Sequence, residues 1–141
     1  MALTLTIIHF IAFSFGIGGG ITNMIIGKRI GQADEALQRN LAGIADMIGR
    51  LVAIAVLLLW LTGIALVYLS WGGWSGLPSL FWVKVAAVLV LSVCLILIKR
   101  TVAQANRSGS APDEARIAPL SLMANLSGLI ALVLALVSFS G

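Results

Sequence analysis

The chain of 141 residues is 60% hydrophobic and 10% charged, whereas soluble globular domains carry roughly a quarter of their residues as charges, so an ordinary soluble domain is excluded and an integral membrane protein is expected. Cys94 is the single cysteine and sits within an apolar run, which excludes a disulfide framework and a cysteine metal cluster. The formal charge of +4 comes from Lys and Arg flanking apolar segments, where membrane topology accounts for it without a nucleic-acid partner.

The first apolar run, Leu3 to Ile26, holds the chain's one histidine, His9. About 20 residues at roughly 1.5 Å each span the hydrocarbon core, so the run is long enough to cross a bilayer. It has no basic n-region and exceeds a usual signal-peptide apolar core; a retained helix is expected. Wound at about 100° per residue, it aligns His9, Ala12, Gly16, Gly20, Asn23 and Gly27 on one stripe, with Ile7, Ile8, Ile11, Phe15 and Ile25 mostly off it. Gly16 and Gly20 continue Ala12 as a small-xxx-small row, which lets a helix or a flat ligand approach the backbone.

The next segment, Gln32 to Ala45, spaces Ala33, Ala36, Leu37, Leu41 and Ile44 at helical intervals against Asp34, Glu35, Gln38 and Arg39, the pattern of an amphipathic helix in the first loop. The second span runs from about Met47 to Leu69 and ends near Tyr68, Trp71 and Trp74. The third, about Leu80 to Ile98, opens with Trp82 and Lys84, and the fourth covers about Ile117 to Phe139, with Pro119 positioned to kink its first turns. Ser110 and Asp113 read as a capping box before it. The expected architecture is all-α: one four-span transmembrane bundle over residues 1–141 with an amphipathic helix in the first cytoplasmic loop.

Basic residues orient the spans. Lys28, Arg29, Arg39 and Arg50 fall in or beside the first loop, Lys99, Arg100, Arg107 and Arg116 in or beside the third, and none in the second. By the positive-inside rule the first and third loops are cytoplasmic and both termini lie outside. The aromatic belt of Tyr68, Trp71, Trp74 and Trp82 gathers at that outer boundary.

Two ionisable residues lie within spans, His9 about 9 Å and Lys84 about 6 Å from the outer ends of their helices. Such groups are costly in a membrane and mark functional sites by default. For Lys84 the alternative is snorkelling, the four methylenes lifting the ammonium to the headgroups beside Trp82. For His9 the alternatives are a neutral imidazole bonded to a neighbouring helix and a metal ligand, to haem iron or to copper. The chain lacks a second histidine, which excludes a bis-histidine haem within one subunit, and the dispersed methionines do not supply the thioether cluster copper prefers. Asn23 and Asn125 suit interhelical amide bonds.

His9 early in the first span with glycines after it, Trp60-Leu61-Thr62-Gly63 late in the second and Trp82-Val83-Lys84 opening the third together resemble the four-helix membrane superfamily of the bacterial haem-containing protoporphyrinogen oxidases and the copper-resistance protein D membrane domains. Length and helix count resemble the oxidase branch over the whole chain. The resemblance implies haem b on His9, a functional role for Lys84 and a bacterial inner-membrane location, with both termini then periplasmic. Two function classes follow. One is a haem- or porphyrin-binding redox protein in which His9 ligates the metal, Gly16 and Gly20 border the planar group, Lys84 holds a propionate or substrate carboxylate, and Tyr68 and Trp82 line the mouth. The other is a non-catalytic bundle packing against copies of itself or a larger membrane complex.

Overall fold

The computed structural model describes residues 2–74, 77, 79–108 and 114–139. It contains four helices: α1 (Ala2–Ile30), α2 (Glu35–Trp71), α3 (Ser79–Ser108) and α4 (Glu114–Phe139). Each is long and apolar enough to cross a membrane, so the chain is an all-α, multi-pass membrane protein. The expected Ser110–Asp113 cap lies outside the described residues.

α1 continues past the apolar run and takes Lys28 and Arg29 into its last turn, where cations oppose the partial negative charge of the helix C-terminus. A short turn follows, closed by Gln32 N–H donating to the Arg29 carbonyl and Ala33 N–H to that of Ile30. Asp34 then starts α2. Its backbone is extended (φ −69°, ψ 166°) and its carboxylate accepts from the Leu37 N–H at 2.9 Å, satisfying one of the amide groups that a helix start leaves unpaired.

The amphipathic segment of the first loop is not a separate helix. It forms the opening turns of α2, which runs unbroken for 37 residues, about 55 Å at 1.5 Å per residue and well beyond the roughly 30 Å hydrocarbon core. No proline interrupts this stretch, and Gly43 and Gly49 keep helical backbone. The break comes at Gly72 and Gly73, whose φ values of 66° and 128° are conformations that side-chain-bearing residues rarely adopt. Exposed pairs of Arg39 with Glu35 and Arg50 with Asp46, four residues apart, lace the polar first half of α2.

The chain divides into two units, Met1–Phe81 and Trp82–Gly141. In the first, α1 and α2 form an antiparallel pair. His9 meets Thr62, a Cβ at Gly19 would meet Val52, and Asn23 lies beside Gly49. Ten residues separate His9 from Gly19 and ten separate Thr62 from Val52, so the register holds without slipping. The buried residues are small or β-branched, with Ala12 on α1 and Val52, Ala55, Val56, Thr62 and Val67 on α2, joined by Leu59. Lipid tails are as apolar as leucine, so close packing and interhelical hydrogen bonds hold such a pair rather than expulsion of water.

The expected stripe on α1 needs one correction. Its packed residues are His9, Ala12, Gly19 and Asn23, whereas a Cβ at Gly16 would meet nothing within 4 Å. His9, Ala12, Gly19 and Asn23 lie three, seven and four residues apart and so fall on one side of the helix, while Gly16, on the same side, is left open. In the second unit, α3 buries Cys94 and Ala105, and α4 buries Ala124, Ser127, Gly128 and Ala131, one face at helical spacing. The Ser127 hydroxyl donates to the Ala124 carbonyl at 2.9 Å. α4 passes through Pro119 as one helix.

Candidate functional site

His9 is half-buried on α1, and its ring is held from α2. Nδ1 lies 2.7 Å from the Thr62 hydroxyl oxygen. Thr62 is itself buried and donates its hydroxyl to the Leu58 carbonyl one turn back, at 2.6 Å. The next residue, Gly63, presents bare backbone to the imidazole edge: a Cβ there would sit 3.6 Å from His9 Cε1. A polar side chain at this depth needs a partner, because an unmade hydrogen bond in hydrocarbon costs several kcal/mol or about that order. Thr62 supplies it, and the Thr62-Gly63 pair shapes the wall on which the ring rests.

Thr62 was quoted within the Trp60-Leu61-Thr62-Gly63 motif without a role of its own. The signal for one was present: it is a hydroxyl on an apolar helix, at a depth from the end of α2 that matches the depth of His9 from the start of α1, about two turns in each case. An antiparallel hairpin of helices brings equal depths together.

Gly16 lies two turns along α1 from His9, in open space. Gly20 is half-buried. Tyr68 is exposed, and its hydroxyl accepts from the Trp74 indole N–H at 3.1 Å, with the two rings edge to face at 6.4 Å and 90°. Trp74 also meets Phe81 edge-on at 6.4 Å. These three aromatics form a group over the turn after α2, where amphipathic rings suit the membrane boundary.

Lys84 belongs to the second unit, in the second turn of α3, and is half-buried; Trp82 beside it in sequence is exposed. Among the described residues, no carboxylate pairs with Lys84. Among the described residues, no group of three or more His, Cys, Asp or Glu side chains gathers to hold a metal ion.

Two buried amide atoms have no hydrogen-bond partner among the described residues, Oδ1 of Asn23 on α1 and Nδ2 of Asn125 on α4. The expected interhelical amide bonds are therefore not made by these atoms within the described chain.

Fold and composition define a small multi-pass helical membrane protein. No protein-family model, curated protein or solved structure matches the chain.

Proposed function

We propose that this four-helix membrane protein binds a planar metal cofactor of the haem b type, which His9 would hold. The observation that carries the reading is the commitment of His9 Nδ1 to Thr62, because histidine ligands to metals characteristically spend their other ring nitrogen on a hydrogen bond that fixes the ring. The residues present suit such a group: a single imidazole restrained on one side, bare backbone at Gly63 beside it, and open space around Gly16 further along α1. The resemblance of the His9, Trp60-Gly63 and Trp82-Lys84 motifs to the haem-containing oxidases points the same way. In this reading Gly16 and Gly20 border the planar group, and Tyr68 flanks its mouth. The bound iron would supply one-electron redox chemistry.

The full chain purified in detergent is expected to show a Soret band that is lost in His9→Ala. A wild-type protein that stays colourless after titration with haemin sinks the proposal.

The same His9–Thr62 bond favours a second reading, in which it is an interhelical clasp in a non-catalytic subunit of a larger membrane assembly. His9→Ala then lowers thermal stability while the wild type never binds haemin.

A further inference from the structure

The hydroxyl of Thr62 decides which nitrogen of His9 is free. Its oxygen lies 2.6 Å from the Leu58 carbonyl oxygen and 2.7 Å from His9 Nδ1. A carbonyl has no hydrogen to give, and two oxygens approach this closely only with a proton between them. That proton is the one hydroxyl hydrogen Thr62 possesses. The second short approach, to His9, therefore has to be bridged by a hydrogen from the ring.

We infer that Thr62 is a positioning residue that holds His9 in the Nδ1–H tautomer, leaving Nε2 as a bare lone pair directed away from the hydrogen bond and available to a Lewis acid. A neutral imidazole carries one ring hydrogen, so committing it to Nδ1 strips Nε2. The chain of bonds from His9 Nδ1–H to the Thr62 oxygen, and from the Thr62 hydroxyl to Leu58, has a single direction because its last member can only accept. Helical backbone thereby sets the chemistry of a side chain on the neighbouring helix. Thr62 is buried, which keeps water from offering its hydroxyl a different partner. Gly63 beside Cε1 lets the ring lie against α2 without a side chain prising it off Thr62. A polar ring within a membrane span that keeps one nitrogen unprotonated is equipped as a ligand or proton acceptor, and the ligand taken here is the iron of the porphyrin proposed above. The identity of that ligand rests on the haem reading, while the tautomer rests on the hydrogen bonds alone.

Because His9 is the chain's one histidine, labelling histidine with nitrogen-15 places two side-chain signals in the spectrum and no others. Solid-state NMR of the full chain in lipid bilayers, freed of porphyrin, is expected to show the directly bonded hydrogen on Nδ1 and an unprotonated Nε2. Thr62→Ser is expected to keep that pattern, and Thr62→Val, which removes the hydroxyl at nearly constant volume, to lose it. Haemin titration is expected to weaken by about 10- to 100-fold in Thr62→Val, the usual effect of removing the group that orients a metal-bound histidine. A hydrogen on Nε2 in the wild type, or a Thr62→Val spectrum identical to wild type, overturns the inference. A wild type with bare Nε2 that binds no haemin leaves the tautomer standing and removes the haem reading.

Discussion

Gly19 on α1 lies directly against the Val52 side chain on α2, so close that a β-carbon at position 19 would overlap the valine methyl. Val52 is itself buried, short and branched at Cβ, and has little rotamer freedom with which to yield. The absence of a side chain at residue 19 is thus what sets the spacing of the two helices.

Gly19→Ala is accordingly expected to destabilise the α1–α2 pair by about 1–3 kcal/mol, the range for overpacking. Gly16→Ala, which meets open space, is expected to be neutral or to gain up to about 1 kcal/mol from better helix propensity. Thermal unfolding in one detergent compares the two. Equal melting temperatures would show that position 19 is not the point of closest approach.

Asp34 is expected to govern where α2 begins. Removing its carboxylate in Asp34→Ala leaves the Leu37 N–H without its acceptor and is expected to cost about 1 kcal/mol, with fraying of the first turns around Glu35 and Arg39. Asp34→Asn, which keeps an acceptor oxygen, is expected to preserve most of that stability. Amide hydrogen exchange over residues 35–41 is the measurement, and unchanged protection in Asp34→Ala would show that the cap is dispensable.

Orientation is expected from charge. With eight basic residues in or beside the first and third loops and none in the second, those two loops are expected in the cytoplasm and both termini on the opposite side. Cysteines introduced at residues 2 and 76, in a Cys94→Ser background, are expected to react with a membrane-impermeant maleimide added outside intact cells, and cysteines at 32 and 109 only after lysis. The reverse pattern would invert the topology and move His9 to the inner half of the membrane.

The sequence by itself determined the class of protein, the four apolar helices and the charged connections, because apolar length and charge placement are local properties of the chain. Tyr68 and Trp74 at the end of α2 were legible for the same reason, and the structure adds Phe81 to them. The expected stripe of α1 included His9, Ala12 and Asn23, which pack, and what it did not determine was that Gly19, and not Gly16, makes the close approach. α1 is apolar almost all round and has scarcely any amphipathic asymmetry, and in lipid a leucine gains little by leaving one apolar surface for another, so hydrophobic periodicity carries no signal for the seam. Small residues at 12, 16, 19 and 20 allowed more than one seam, and the tertiary structure chose Ala12 and Gly19 because they fit the relief of α2 while His9 reached Thr62. The same holds for α2: its polar opening turns looked separable by composition, yet the Asp34 cap and the lack of any breaker before Gly72 join them into one helix. Shape and a single pair of polar atoms settle the arrangement of helices whose hydrophobicity is uniform, and both belong to two segments at once.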